Sequence, residues 1–246
     1  MPELEPIGWI VVGLCAVMVG VAKTGVPGFA ILVVPLMAGV LPARSSTGVV
    51  LGILILGDLF AVAYHRHNAK WVHVARLLPA AVFGIIAGYF AMKHVSDAQL
   101  KPIIGIIVLV MLAITYWRNR ARSNPAIVPN HPGFALLLGF VAGLTTMMAN
   151  AAGPVMTVYL LAMRLPKVEF VGTSAWFFFA VNWIKVPFSS RLGFVSAESL
   201  KLNLLMLPFI ALGALAGVYL LKRIGQKAFD AVVQILAAAA AVKLLF

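Results

Sequence analysis

Charge is scarce in this sequence of 246 residues, and acidic charge is the scarcest. Asp and Glu together number seven, charged residues of both signs make up 11%, and hydrophobic residues make up 63%. A soluble domain needs a polar surface, which this composition cannot supply. The low charge therefore excludes a soluble domain, and the mean hydropathy of +1.04 indicates a protein embedded in lipid.

Cysteine and catalytic motifs are also missing. The single cysteine, Cys15, lies in an apolar stretch, which excludes an intramolecular disulfide and a cysteine-based metal cluster. The sequence has no H-E-x-x-H motif, no G-x-S-x-G motif and no pair of aspartates within an apolar run. We therefore expect no enzyme, no catalytic residue, no metal site and no cofactor. The loop with His65, His67 and His73 has no acid or cysteine to complete a metal site.

Basic residues are the abundant kind of charge. Nineteen Lys and Arg give a formal net charge of +12, which in a soluble protein would suggest a nucleic-acid partner. Here they lie between apolar segments, a pattern typical of membrane topology, so we expect a lipid bilayer as partner and no nucleic acid. Residues Met1 to Glu5 lack the positive region of a cleaved signal peptide, so we expect the first apolar segment to be retained.

Apolar runs near the roughly 20 residues that a spanning helix needs recur along the chain. Two other stretches, 7–41 and 133–163, are longer and are interrupted in the middle. The six uninterrupted candidates are 46–64, 77–92, 102–117, 172–188, 203–221 and 228–246.

Glycine and proline interrupt both long stretches, and both residue types break helices. The pieces on either side are about 9 to 17 residues long, mostly too short to cross about 30 Å of hydrocarbon. We interpret each stretch as a re-entrant helical hairpin. The first break reads Lys23, Thr24, Gly25, Val26, Pro27, Gly28, and the second reads Asn150, Ala151, Ala152, Gly153, Pro154.

The distribution of Lys and Arg between loops supports the hairpins. If each broken stretch crossed the membrane once, eight Lys and Arg would fall on each side, whereas hairpins that return give eleven against five. The positive-inside rule then predicts a bacterial inner-membrane protein with a periplasmic N-terminus. Two short complete spans per broken stretch would give the same split. The eleven are Arg66, Lys70, Arg76, Arg118, Arg120, Arg122, Arg164, Lys167, Lys222, Arg223 and Lys227.

An internal repeat accompanies this topology. Each half holds a broken hairpin and three spans, an odd number, so the second copy is expected upside down relative to the first. The predicted fold is an all-α membrane protein of two inverted repeats, 1–118 and 133–246, joined by a cytoplasmic linker, 119–132. The matching spacings are Pro42 and Gly48 with Pro166 and Gly172, and Pro79, Gly84 and Gly88 with Pro208, Gly213 and Gly217.

Two glycine-rich elements resemble those of the TauE/SafE family of anion exporters. The stretch from Gly25 to Leu36 resembles the first element, and Gly139 to Gly143 followed by Asn150 to Pro154 resembles the second. The resemblance implies gradient-driven or proton-driven movement of sulfite or a small organosulfonate, generally outward. A passive anion channel, or a transporter of sulfate or a carboxylate, is the alternative, and an oligomer is compatible with the sequence.

The two breaks are the predicted substrate site. Half-helices that begin near Phe29 and Val155 would direct free N–H groups toward the membrane centre, where an oxyanion could accept them. The alternative is that Gly and Pro only permit close helix packing. The predicted substrate-binding residues are Lys23, Thr24, Gly25, Val26, Pro27, Gly28, Asn150, Ala152, Gly153 and Pro154.

Three further polar residues lie within apolar spans. An ammonium at the centre of the bilayer costs about 2.5 to 3.5 kcal/mol, so Lys23 needs a ligand, a partner such as Asp58, or a path to the surface. Asp58, its repeat equivalent Asn182 and Lys185 are candidates for coupling or gating, including proton coupling. Because Lys185 lies near the expected outer end of its helix, we favour an interfacial position for it over substrate contact.

The charge split generates a topology prediction. In a background without Cys15, cysteines introduced at positions 44 and 167 should react with an impermeant thiol reagent from opposite sides of the membrane, because only position 167 belongs to the basic side. Reaction of both positions from one side would rule out the paired hairpins.

Overall fold

The structure is a computed structural model that describes residues 5–27, 29–94, 96, 99, 132–226, 228–229, 231–232 and 235. The predicted span 102–117, nearly all of the predicted linker 119–132 and most of the span 228–246 lie outside the described residues. The described residues are almost wholly helical. The helices are α1 (Pro6–Thr24), α2 (Phe29–Val40), α3 (Ala43–His65), α4 (Trp71–Met92), α5 (Pro132–Ala149), α6 (Gly153–Ala162), α7 (Lys167–Arg191), α8 (Ala197–Leu205) and α9 (Leu207–Arg223).

Several of these helices are long and apolar enough to cross a membrane. Four qualify alone among the described residues, namely α1, α3 from Ser45, α4 and α5, and α8 with α9 makes a fifth if this pair, bent by 49°, counts as one span. The predicted span 172–188 lies within α7, which is 25 residues long but is not among the qualifying helices. Asn182 and Lys185 lower its hydropathy. The chain is therefore a multi-pass membrane protein.

The broken stretches each combine a long helix with a short one. α1 has 19 residues and α5 has 18, so the prediction that both pieces are mostly too short to span is wrong for the first piece of each stretch. The second pieces, α2 and α6, have 12 and 10 residues and are too short. α2 packs back on α1, with Val33 and Met37 in the same apolar core as Val12 and Cys15.

Loops from distant parts of the sequence meet at one end of the bundle. The Nζ of Lys70 lies 3.0 Å from the Oε1 of Glu169, the Nζ of Lys167 donates to the carbonyl of Leu221 at 2.7 Å, and Lys222 lies over the ring of Tyr64. Single crossings would put Lys70 on the opposite side from Lys167 and Lys222. The contacts agree instead with the group of basic residues that the hairpin topology puts together.

Glycine allows backbone-to-backbone contact in two helix pairs, α1 with α9 and α4 with α5. A Cβ at Gly213 would overlap the carbonyl oxygen of Val17, and a Cβ at Gly143 would overlap that of Ala81. Lipid tails are as apolar as the side chains, so close packing of this kind is a main source of helix association in a membrane.

Two apolar cores result from this packing. One joins α4, α5, α6 and α7 and also takes in Val26 and Leu221, while the other joins α1, α2 and α3 with α8 and α9. α3 of one core packs against α7 of the other. Their shared face carries Asp58 and Asn182, so the boundary between the two cores is polar.

The close contacts predict a position-dependent effect of adding a side chain. Gly143→Val should destabilise the protein by about 1 to 3 kcal/mol or more, because the new side chain overlaps backbone atoms that can move only if the helices separate. Gly39→Val is the matched control, since a Cβ at Gly39 meets nothing within 4 Å. Thermal unfolding of both variants in detergent measures the difference, and equal stability of the two would contradict the packing described above.

Candidate binding cavity

Residues of both helix breaks line one cavity between the two cores. Its volume is about 50 Å³, room for about three to five water molecules, since one water needs about 10–15 Å³ on this scale. α1, α2 and α3 supply one wall, and α5, α6 and α7 supply the other. The lining residues are Ala22, Lys23, Pro27, Ala30, Leu54, Thr146, Asn150, Ala151, Gly153, Pro154, Thr157, Ser174, Ala175, Phe178 and Asn182.

Six of the residues singled out in the sequence therefore meet around this space, although the breaks at 23–28 and 150–154 lie 122 to 131 positions apart along the chain. They are Lys23, Pro27, Asn150, Gly153, Pro154 and Asn182.

The other predicted residues of the first break have structural contacts instead. The hydroxyl of Thr24 donates to the carbonyl of Ala214 at 2.7 Å and lies 3.0 Å from that of Gly20, so it ties α1 to α9. Gly25 packs on the backbone of Gly217. The N–H groups of Gly25 and Val26 both donate to the carbonyl of Val21 at 3.0 Å, so these two are not free for a ligand as predicted. Gly28 lies outside the described residues.

The second break leaves a free helix N-terminus at the cavity. α6 begins at Gly153, no side chain caps it, and the first N–H that bonds back is that of Met156, to the carbonyl of Ala152 at 3.0 Å. Pro154 has no N–H, so the first turn offers the N–H groups of Gly153 and Val155, which have no helical carbonyl to bond. A Cβ at Gly153 would meet nothing within 4 Å, so this backbone is open to a ligand. Ala152 itself is buried in the apolar core.

An ion pair and an amide connect α1, α3 and α7 beside the cavity. The Nζ of Lys23 lies 2.6 Å from the Oδ1 of Asp58, and the Nδ2 of Asn182 donates to the Oδ2 of Asp58 at 2.6 Å. Asp58 is fully buried. Lys23 also lies 4.3 Å from the ring centre of Phe178, a favourable cation–π position. Of the alternatives for Lys23, pairing with Asp58 is the one the structure contains.

Lys185 is buried and not interfacial, which corrects the expectation from its place in the sequence. Only 1% of its surface is exposed. Its Nζ donates to the carbonyl and the hydroxyl of Thr146, both at 3.1 Å, and to the Oδ1 of Asn150 at 2.5 Å. These three acceptors match the three donors of an ammonium group, but all of them are neutral. The face of α7 that carries Lys185 points to the end of α5 instead of the membrane surface.

Asn150 holds the second break in place. Its backbone φ is 55°, in the left-handed region, which Asn tolerates better than most residues other than Gly. Its side-chain Nδ2 donates to the carbonyl of Thr47 at 3.2 Å while its Oδ1 accepts from Lys185. The two contacts fix the orientation of the amide and link the break to the start of α3.

The buried charges do not balance. Among the Lys, Arg, Asp and Glu that the structure describes, those that are buried are Lys23, Asp58 and Lys185. With all three ionised, one positive charge beside the cavity has no carboxylate to compensate it among the described residues. An uncompensated charge is unfavourable in a medium of low polarity.

Nine lining residues were not predicted from the sequence, and four of these carry a hydroxyl or an aromatic ring: Thr146, Thr157, Ser174 and Phe178. Hydroxyl residues within apolar spans were the available signal, but nothing in the sequence separates them from Thr145 or Ser189, which do not line the cavity. Two histidines of the basic loop bond to different partners. The Nε2 of His65 lies 2.8 Å from the carbonyl of Thr24, and the Nδ1 of His73 lies 2.9 Å from the hydroxyl of Tyr159.

A multi-pass helical bundle with a small cavity lined by residues of two helix breaks has the construction of a membrane transporter. The family model described as sulfite exporter TauE/SafE matches residues 9–244, nearly the whole chain. The protein belongs to the TauE/SafE family, whose members are transporters, and the resemblance seen in the glycine-rich elements is confirmed. No curated protein and no solved structure gives a significant match to the chain.

Proposed function

We propose that this protein is a secondary transporter that moves a small anion, sulfite or a small organosulfonate, outward across the bacterial inner membrane under a gradient. The observation that carries the proposal is the cavity between the two breaks, which is lined by Lys23 and lies beside the buried Asp58 and Lys185. The family supports the same cargo.

The shape and lining of the cavity support a small oxyanion. Its volume of about 50 Å³ leaves little room for a large organic ion. The free N-terminus of α6 offers backbone N–H groups, and the hydroxyls of Thr157 and Ser174 add donors. Ala30, Leu54 and Phe178 provide apolar wall, which suits the carbon end of a short sulfonate.

The proposal includes two inverted repeats, 1–118 and 133–246, on either side of the linker 119–132. Reciprocal contacts support it, because the first helix of each half packs on the second span after the hairpin of the other half. These pairs are α1 with α9 and α5 with α4. Pro42 and Pro166 precede α3 and α7 with nearly equal backbone angles. Asp58 accepts a hydrogen bond from Asn182, its own counterpart in the repeat.

Alternating access then follows from motion between the two apolar cores, which meet at the polar face of α3 and α7. The N-terminus is periplasmic in this proposal, and Asp58, Asn182 and Lys185 lie where a coupling or gating change would act. A passive anion channel would use the same cavity without coupled motion.

Flux measurements test the transport proposal. Purified protein in proteoliposomes should move sulfite or methanesulfonate with a rate that saturates and that responds to an imposed gradient. Sulfate and a small carboxylate are the comparison anions. Flux that rises linearly with concentration and ignores the gradient would support the channel, and no flux of any anion above empty liposomes would reject both.

The cavity predicts which substitutions weaken binding. Lys23→Ala should weaken binding of methanesulfonate by about 10 to 150-fold, the equivalent of about 1.5 to 3 kcal/mol for a charged contact. Gly153→Val should weaken it as well, because the added side chain enters open cavity space without touching neighbouring protein. Isothermal titration of purified protein measures both.

Lys222→Ala is the matched control, since Lys222 is exposed at the end of α9 and should leave affinity unchanged. Lys23→Ala leaves Asp58 without its cation, so monodispersity and thermal unfolding must be checked alongside. Gly153→Val alters no charge and stays informative if Lys23→Ala does not fold. Parental affinity in both folded variants would put the site elsewhere.

A further inference from the structure

We infer that the cavity is matched to a singly charged anion, and that a doubly charged anion binds only together with one proton taken up by Asp58. This inference rests on the proposed function, because it concerns the anion in that same cavity. It follows from the buried charges and from an amide oxygen beside Asp58 that has no partner.

The charge balance gives the first step. With Lys23 and Lys185 protonated and Asp58 ionised, the buried Lys, Arg, Asp and Glu that the structure describes sum to +1. A monovalent anion brings the sum to zero. A divalent anion brings it to −1, which is unfavourable where the walls are largely apolar and water is mostly excluded.

The surroundings of Asp58 identify the group that can correct this imbalance. α1 faces it with Lys23, and α7 faces it with Asn182 and, one turn further on, Lys185. α2 carries no ionisable residue, and the charged residues of α8 and α9, such as Lys201 and Arg223, are exposed. On α3 itself, His65 holds the carbonyl of Thr24 with Nε2 and has no partner at Nδ1, the arrangement of a neutral imidazole.

The side-chain amide of Asn182 can form a hydrogen bond with Asp58 in either protonation state of the carboxyl group. Its Nδ2 donates to the ionised carboxylate at 2.6 Å, while its Oδ1 is buried with no hydrogen-bond partner. A protonated carboxyl group has an O–H to donate, and the amide can turn to present Oδ1 as the acceptor. An aspartate in place of Asn182 would lack the donor for the ionised state of Asp58.

Protonation would also release Lys23. The Lys23 ammonium now lies 2.6 Å from the Oδ1 of Asp58 and lines the cavity as well. A neutral carboxyl group holds an ammonium less strongly than a carboxylate does. A proton from water on Asp58 therefore leaves two cations for the ligand, which balance a divalent anion.

Two probes of fixed charge and similar size test the inference in the parent protein. Methanesulfonate is a monoanion and sulfate a dianion across the range from about pH 5 to about pH 6, where exposed carboxylates and protonated lysines keep their charge. Methanesulfonate affinity should change by less than about twofold across this range. Sulfate should bind more weakly at the higher pH and gain up to about tenfold per pH unit lowered, the limit for one linked proton.

Charge-swap variants sharpen the test. Lys185→Met should remove most methanesulfonate binding, because the sum falls to zero before the anion arrives. Asp58→Asn should bind sulfate with no pH dependence, because the sum is fixed at +2. The double variant Lys185→Met with Asp58→Asn restores a sum of +1 and should recover methanesulfonate binding to within about tenfold of the parent, which a purely structural role would not produce. Lys222→Met, at the exposed end of α9, is the control.

The outcomes separate the two proposals. If the parent binds neither anion, the proposed function fails and this inference fails with it. If the parent binds sulfate as well as methanesulfonate and without pH dependence, the anion site stands and the charge matching is wrong. A folded double variant that does not recover methanesulfonate binding also overturns it. If a variant does not fold, the pH dependence of the parent alone decides the question.

Discussion

The rest of this structure depends on how two ammonium groups and one carboxylate are buried inside a membrane protein. Lys23 pairs with Asp58, and Asp58 in turn holds Asn182, so a single contact network ties α1, α3 and α7 together. Lys185 has only the neutral oxygens of Thr146 and Asn150. Charge inside lipid is tolerated where it faces a cavity or a partner, and here it faces both.

Glycine contacts give the frame around those charges. Gly213 lets α9 approach the backbone of α1, and Gly143 lets α5 approach that of α4, so each apolar core contains one close pair. These contacts are backbone to backbone and leave little freedom to slide. The boundary between the two apolar cores is different, because polar groups that can exchange partners lie along it. A transporter needs this combination of rigid bodies and a contact between them that can rearrange.

Much of the site could be predicted from the sequence, and the failures are instructive. The breaks were visible because Gly and Pro interrupt apolar runs, and Lys23 was visible because an ammonium there requires a partner. Thr24 was predicted as a ligand donor, yet its hydroxyl faces Ala214 on α9. Lys185 was predicted at the interface, yet it lies at the end of α5. In both cases the error concerned direction around the helix axis, which the local sequence of α1 or α7 does not determine.

The sequence by itself determined that the chain is a membrane protein, that two of its apolar stretches are broken, which loops carry the positive charge, and which family it belongs to. Those properties depend on composition and local backbone preference, which act along the chain. Only the tertiary structure decided that Lys23, Asn150 and Gly153 meet around one cavity while Gly25 and Val26 do not. It also decided that Lys185 adds a second buried cation. Those facts depend on which helix faces which neighbour, and that choice is made by contacts between residues distant in the sequence, 35 positions apart for Asn150 and Lys185 and 124 for Asp58 and Asn182.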